Sequence, residues 1–272
     1  MLKSRIITAS ILLLFLLLFM FVLPSVWWQG LVVVTVMQAT LEWTKLARLS
    51  SRISYIYSAL SLLIMVALLW FYPEKPFDTL AIPHLFIYAV SAVLWLIIVP
   101  AWMIAGWRIQ HPLLMCLTGW AIIIPTGLAM LDLYSISPLL LLFLLCLVWV
   151  ADIGAYFSGR RFGKHKLAPR ISPGKTWEGV IGALLGVTLY VVLVWFLSPL
   201  HEQHLPVLLL AAGWWVGLAV IGDLFESAIK RQAGVKDSGA LLPGHGGLLD
   251  RIDALTSTLP LAALVILLQQ MS

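Results

Sequence analysis

The sequence is poor in charged residues and in cysteine. Only 11% of its 272 residues are Asp, Glu, Lys or Arg, while 62% are hydrophobic. A soluble protein has about 25% charged and about 45–50% apolar residues, so this composition excludes a water-exposed fold and predicts a lipid environment. The two cysteines, Cys116 and Cys146, lie in apolar runs, which argues against a disulfide framework or a Cys-x-x-Cys metal site. Internal repeats and low-complexity linkers are also missing, and we expect one membrane domain.

The basic balance of the chain has an ordinary explanation in a membrane protein. The net charge of +5 and the pI near 9.3 would suit nucleic acid in a soluble protein, but basic cytosolic loops account for them here. We therefore expect no nucleic acid partner. The N-terminus resembles a signal peptide, with Lys3 and Arg5 before an apolar run at 6–23. That run is long and no Ala-x-Ala-like site follows it, so we expect an uncleaved first span.

Apolar runs of spanning length follow one another along the whole chain. They predict an all-α fold, a polytopic integral membrane protein with about nine transmembrane helices. The predicted spans are near residues 6–23, 27–44, 54–72, 83–104, 112–131, 138–157, 177–197, 206–225 and 254–270. Ionisable residues are sparse before Trp149 and dense after it. We therefore divide the chain into scaffold helices at 1–137 and C-terminal helices with cytosolic catalytic loops at 138–272.

The basic residues orient these spans. If the N-terminus is cytosolic and the loops alternate, every Lys and Arg except Lys75 falls on the cytosolic side. Positive loops stay in the cytosol, so this distribution predicts a multi-pass protein of the bacterial inner membrane with a cytosolic N-terminus and a cytosolic active site.

Two polar clusters occur where the composition changes. Asp152 ends a long apolar run, and a carboxylate inside a span costs roughly 2.5–3.5 kcal/mol on insertion scales, which favours a functional role over a helix stop. Residues 172–179 open the seventh span and carry Gly174, Lys175 and Thr176. The strand and the spacing of a P-loop are missing, but a helix N-terminus with these residues can bind phosphate. Plain helix capping is the alternative.

A third cluster, at 222–253, is the strongest. On a helix, residues at steps of three and four share one face, as do Asp223, Glu226, Ser227 and Lys230. A Gly-rich loop follows, and then Asp250 and Asp253 open the last span. Carboxylates at two helix ends suit Mg²⁺, which retains waters and bridges phosphates. Lys and Arg suit the remaining phosphate charge.

These segments resemble the phosphatidate cytidylyltransferase (CDP-diacylglycerol synthase) family. The family signature, Ser-x-x-Lys-Arg, four residues, Lys-Asp-x-Gly, then His-Gly-Gly-x-x-Asp-Arg-x-Asp, is matched by Ser227, Lys230, Arg231, Lys236, Asp237, Gly239, His245, Gly246, Gly247, Asp250, Arg251 and Asp253. The segments around Asp152 and Lys175 also resemble the family, so the likeness covers about 149–255. It implies transfer of CMP from CTP to phosphatidate, giving CDP-diacylglycerol and pyrophosphate for phospholipid biosynthesis.

The resemblance also implies roles for individual residues. Asp223 and Asp250 are the expected Mg²⁺ ligands, with a second cation and a homodimer left open. The expected catalytic residues are Asp223, Lys230, Arg231, Lys236, Asp237, His245, Asp250, Arg251 and Asp253. The expected substrate-binding residues are Asp152, Lys175, Thr176, Ser227, Gly246 and Gly247.

Two other classes of function remain open at this point. One is another CTP-using membrane enzyme, such as a lipid-alcohol kinase or a synthase acting on a different lipid phosphate. The second is a transporter with intramembrane carboxylates, which is expected to show repeats or interrupted helices in both halves. Here the polar motifs are confined to one half, which disfavours the transporter.

Overall fold

The fold is a bundle of long helices. A computed structural model of the protein describes residues 2–70, 82–197, 204–241 and 246–271. The helices in these ranges are α1 (Leu2–Phe21), α2 (Ser25–Leu46), α3 (Ser51–Trp70), α4 (Ile82–Ala105), α5 (Pro112–Ile136), α6 (Pro138–Phe162), α7 (Trp177–Leu197), α8 (Leu205–Gln232) and α9 (Leu249–Met271). A π-helical segment, Leu94–Ile98, interrupts the regular winding of α4.

The predicted all-α membrane class is confirmed. Within the described residues, seven helices, α3 to α9, are long and apolar enough to cross a membrane. In α1 the apolar stretch is shorter, Ile7–Phe21. The helix α2 is continuous, but the polar residues Gln38, Glu42 and Lys45 interrupt its apolar sequence. The predicted count of nine spans therefore stays a prediction for α1 and α2. The division at 137 also stays a prediction.

A short β-hairpin departs from the predicted fold. Strands β1 (Lys166–Ala168) and β2 (Ser172–Thr176) pair antiparallel, with Lys166 opposite Thr176 and Ala168 opposite Ser172. The predicted span at 177–197 matches the helix, which begins at Trp177, but residues 172–176 before it form a strand that was not predicted. The reason is local, because the hydroxyl of Thr176 accepts the backbone N–H of Gly179 at 3.2 Å and so caps α7 from outside it.

The last two helices extend beyond their predicted apolar spans. We expected spans at 206–225 and 254–270, but α8 continues to Gln232 and α9 begins at Leu249. The added turns are polar, and their charged side chains face each other inside the protein. The ammonium of Lys230 on α8 lies 2.6 Å from the carboxylate of Asp250 on α9. This contact between the two helices stabilises their added polar turns.

The last helix, α9, is largely enclosed by the bundle. This helix packs against α8, α5, α4 and α2, and its residues 254–261 are all buried. Small residues allow close packing against α8. A Cβ placed on Gly222 would lie 2.8 Å from the carbonyl oxygen of Asp253, so the two backbones nearly touch. The same holds between α6 and α7, where a Cβ on Gly154 would lie 2.6 Å from the carbonyl of Gly182. These two helix pairs form the walls of the site.

Candidate active site

Lys230 joins the two helices of the C-terminal motif. Its side chain is only 10% exposed and lies on the face of α8 that also carries Asp223 and Glu226. The ammonium lies 2.6 Å from Oδ1 of Asp250 and 3.4 Å from Oε1 of Glu226. A buried charge is tolerated only when it is paired and hydrogen-bonded, and Lys230 has two carboxylate partners. This pairing fixes α8 and α9 in register.

Asp250 is held by the backbone of the loop before its own helix. Its Oδ2 accepts the N–H of Gly247 at 2.7 Å and that of Ser238 at 3.0 Å. With Lys230 on Oδ1, this carboxylate is fixed on both oxygens. The residue lies in the first turn of α9, where the positive end of the helix dipole stabilises an anion. Asp250 is therefore a preorganised anionic group at a helix N-terminus.

The β-hairpin places Lys175, from the predicted cluster at 172–179, next to α8. Lys175 on β2 forms an ion pair with Oδ2 of Asp223 on α8, and the hydroxyl of Ser227 donates to Oδ1 of Asp223 at 3.3 Å. Lys175 and Asp223 are 23% and 32% exposed, so this pair is far more open than the buried pair Lys230–Asp250. A ligand could therefore reach Lys175 and Asp223 directly.

These groups surround one cavity of about 440 Å³ between α6, α7, α8, α9 and the hairpin. Its charged wall holds Asp152, Lys175, Asp223, Lys230, Asp237, Asp250, Arg251 and Asp253. Its apolar wall holds Ala151, Ala155, Val180, Ala183, Val216, Ala219 and Val220. Asp152 is exposed, and α6 presents it to this space from a segment that is otherwise apolar. One cavity thus offers a charged surface and an apolar surface to the same ligand.

Comparison with known proteins identifies the family. The pattern that defines the Cytidylyltransferase family matches residues 3–269. A phosphatidate cytidylyltransferase of Haemophilus influenzae is 36% identical, with 96% of each chain covered. One of Pseudomonas aeruginosa is 39% identical, over 97% of this chain and 96% of the relative. The chain belongs to the cytidylyltransferase family.

Family membership confirms the prediction made from the motifs. A phosphatidate cytidylyltransferase of Brucella melitensis is 49% identical over 43% of this chain. None of these relatives is a transporter or a kinase by its printed name, so the alternative classes are not favoured. The match also reaches back to residue 3, whereas the motifs we recognised begin near 149.

Nine of the predicted site residues line the cavity. They are Asp152, Lys175, Thr176, Asp223, Lys230, Asp237, Asp250, Arg251 and Asp253. Ser227 and Gly247 lie one contact behind the wall, bonded to Asp223 and Asp250. His245 lies outside the described residues.

The structure does not place the other predicted residues in the cavity. Lys236 and Arg231 are exposed but do not line it, and neither does Gly246. The guanidinium of Arg231 donates to the carbonyl oxygens of Val235 at 3.1 Å and Ile171 at 3.4 Å. It therefore fastens the hairpin to the end of α8. The catalytic role expected of Arg231 stays a prediction, since its guanidinium contacts backbone carbonyls outside the cavity.

Two carboxylates near the site were missed or left without a role. Glu226 is 3% exposed, and its Oε1 lies 3.4 Å from the ammonium of Lys230 as a second carboxylate beside Asp250. Glu42, on α2, is fully buried and contacts the loop before α9. The signal for Glu42 was present in the sequence, because a carboxylate within an apolar helix is costly and is a candidate for a function. We applied this criterion to Asp152 but not to the first 137 residues.

The oxygen donors of the cavity suit Mg²⁺ by their chemistry. Carboxylate oxygens from two helices, with room left for water and phosphate, are the ligands that this ion prefers. Among the described residues, however, no three acidic, His or Cys side chains are grouped closely enough to hold a metal by themselves. Asp223 and Asp250 are instead paired with Lys175 and Lys230. An ion bound here would complete its coordination with water or substrate oxygens.

Proposed function

We propose that this chain transfers CMP from CTP to phosphatidate, giving CDP-diacylglycerol and pyrophosphate. The observation that carries the proposal is a single cavity lined by both charged and apolar residues. CTP is multiply anionic and soluble, and Lys175, Lys230 and Arg251 in this lining suit its phosphates. Phosphatidate has an anionic head and acyl chains, and apolar residues of α6, α7 and α8 line the same cavity. The names of the relatives support the same pair of substrates.

The reaction needs positioning and charge neutralisation more than proton transfer. A phosphate oxygen of phosphatidate forms a bond to the α-phosphorus of CTP, and the bond to the bridging oxygen of the β-phosphate breaks, so pyrophosphate leaves with the electron pair. The nucleophile is already an anion and requires no strong base. Preorganised cations stabilise the charge that develops on the leaving group. Lys230 is held rigidly by two carboxylates, and Lys175 is the more accessible cation.

Asp223 and Asp250 are the residues that would hold Mg²⁺. When bound, this ion supplies charge neutralisation to the triphosphate. Asp152, Asp237 and Asp253 lie on the same wall and would support that position. In the absence of nucleotide, Lys175 and Lys230 balance the two aspartates. CTP phosphates would compete for the same ammonium groups, so lysine pairs of this kind are consistent with a site that exchanges partners on binding.

The substrate assay uses purified protein with CTP, phosphatidate and Mg²⁺, following pyrophosphate and CDP-lipid together. We expect one pyrophosphate for each CDP-lipid formed, and little product with ATP or GTP. A kinase would release CDP instead. Pyrophosphate without lipid consumption, or equal use of ATP, would contradict the proposal.

The proposed location is the cytosolic face of the inner membrane, with the hairpin and the end of α8 in the cytosol. Single cysteines placed near 166 and 236, in a chain with Cys116 and Cys146 replaced by Ser, should resist a membrane-impermeant thiol reagent in intact cells. Cysteines near 78 and 201, which lie outside the described residues, should react. The opposite labelling pattern would refute the orientation. The homodimer stays a prediction, which crosslinking in membranes can test.

A further inference from the structure

Glu42 makes an unusual set of contacts for a residue of the predicted scaffold. It lies near the end of α2, and its side chain is fully buried. The carboxylate accepts four hydrogen bonds, from Nε2 of Gln38 at 2.9 Å, Oγ of Ser238 at 2.8 Å, N of Leu248 at 2.9 Å and N of Leu249 at 2.8 Å. Three of the four donors, Ser238, Leu248 and Leu249, belong to the segment that leads from α8 into the first residue of α9. A helix far away in the sequence thus holds the loop that carries the active-site motif.

Two of these bonds cap α9. The first N–H groups of a helix have no partner within the helix and need an external acceptor. Residues Leu248 and Leu249 stand at that position, and both donate to Glu42. A residue of the loop itself usually serves as the N-cap. Here the cap comes from α2, and its negative charge lies at the positive end of the α9 dipole.

Glu42 and Asp250 hold opposite sides of the same turn. Ser238 donates its backbone N–H to Asp250 and its hydroxyl to Glu42. Gly247 donates to Asp250, while the next two N–H groups donate to Glu42. Space between the carboxylates is minimal, because a Cβ on Gly247 would collide with the Glu42 carboxylate and the Ser238 hydroxyl. A shift of the Glu42 side chain must therefore move the donors that orient Asp250.

We propose that Glu42 is a positioning residue of the active site, which sets the orientation of Asp250 by capping α9 and holding Ser238. The inference rests on the proposed function for its turnover measurements but not for its structural ones. A merely structural contact between α2 and α9 would affect the folded fraction alone. A positioning residue also changes how Asp250 meets Mg²⁺ and nucleotide in the molecules that are folded.

The decisive variant is Glu42→Gln. It conserves size but replaces one carboxylate oxygen by an NH₂ group, which cannot accept a hydrogen bond. The donors to that oxygen then lose their acceptor, either Gln38 and Leu248 or Ser238 and Leu249. We expect the Mg²⁺ concentration for half-maximal rate to rise roughly 10- to 100-fold, as for residues that orient metal ligands. The matched control is Thr40→Val, which is buried on the same helix and whose hydroxyl has no hydrogen-bond partner among the described residues. It should leave the Mg²⁺ dependence unchanged.

Two readouts need no turnover. Hydrogen exchange followed by mass spectrometry should show faster exchange at 246–250 in Glu42→Gln and wild-type exchange there in Thr40→Val. The rise in Tm produced by Mg²⁺ with CTP should shrink in Glu42→Gln and persist in the control. If the wild type shows these responses but no CDP-lipid, the proposed function fails while the positioning role stands.

Ser238→Ala makes the test independent of whether Glu42→Gln folds. It removes the hydroxyl bond to Glu42 and keeps the backbone N–H that binds Asp250. We expect a smaller rise in the Mg²⁺ requirement, and no further rise when it is combined with Glu42→Gln. A wild-type Mg²⁺ requirement in both single variants, or a loss of rate explained entirely by less folded protein, would overturn the proposal.

Discussion

Among the described residues, two buried polar clusters can be compared, and of these two the second adjoins the cavity. The first joins α4 and α5, where Asp132 is 1% exposed and its Oδ2 lies 3.0 Å from Nδ1 of His84 and accepts the hydroxyl of Tyr88 at 2.6 Å. The second joins α8 and α9 through Lys230 and Asp250. None of the three residues of the first cluster lines the cavity, whereas both residues of the second do.

The comparison shows that a carboxylate within an apolar helix does not by itself mark an active site. Asp132 and Asp250 are both costly to bury, and both are satisfied by hydrogen bonds from other helices. They differ in what lies beside them. Open space bounded by further charges accompanies Asp250, so its partners can be exchanged for a substrate. The Asp132 cluster pins α4 to α5, at the end of the bundle opposite the hairpin.

We expect the largest effect from Asp223→Asn and Asp250→Asn, which should lose turnover if the cluster beside the cavity is the active site. Each change keeps the size and removes one charge from the proposed metal site. We expect at least a hundredfold loss of kcat, which corresponds to roughly 2.7 kcal/mol of transition-state stabilisation. Extra Mg²⁺ should restore little. The measurement is CDP-lipid formation per folded molecule. If Asp250→Asn keeps more than about a tenth of the activity at saturating Mg²⁺, a cost below about 1.4 kcal/mol, Asp250 is not a primary ligand.

The next prediction separates the buried ion pair from the exposed one. Lys230→Met leaves Asp250 and Glu226 without their cation, and breaking a buried pair costs roughly 3–5 kcal/mol, so we expect both Tm and turnover to fall. Lys175→Met breaks a pair that is partly exposed, and we expect turnover to fall with little change in Tm. Thermal unfolding in detergent, measured beside the lipid assay, checks both. Equal changes in Tm would show that burial does not distinguish the two pairs.

Asp132→Asn should produce the reverse of the Asp250 result. The amide can still accept one hydrogen bond, but the charge that faces His84 is gone, and a weakened buried bond costs about 1–3 kcal/mol. We therefore expect a lower Tm and an unchanged rate per folded molecule. The protein recovered in folded form, determined by size-exclusion chromatography, normalises the rate. A specific loss of kcat would mean that this cluster communicates with the site.

The smallest expected effect belongs to Arg231→Gln. Its guanidinium bonds backbone carbonyls outside the cavity, so we expect less than a tenfold fall in kcat/KM, under about 1.4 kcal/mol, and a normal Mg²⁺ requirement. Lys230→Met, one residue away, is the matched comparison. A loss as large as that of Lys230→Met would return Arg231 to the catalytic set, as its place in the motif first suggested.

Composition and the lengths of the apolar runs were enough for the membrane class and most helix positions, and the resemblance of the C-terminal motif was enough for the family. Lipid selects long apolar runs, and a motif of fixed spacing is legible without coordinates. The predicted span at 177–197 coincides with α7, because its limits are set by local residues.

The partners of the charged residues were decided by tertiary structure. Nothing local distinguishes Lys230, which points into the cavity, from Arg231, which fastens the hairpin. Nor does local sequence show that Glu42 of α2 caps a helix whose first residue, Leu249, lies 207 positions later. Helical spacing indicates which residues share a face, but the packing of α2, α8 and α9 determines which residues contact that face. Buried charges are stable only when they have such partners, and for this reason the pairing could be observed only in the assembled bundle.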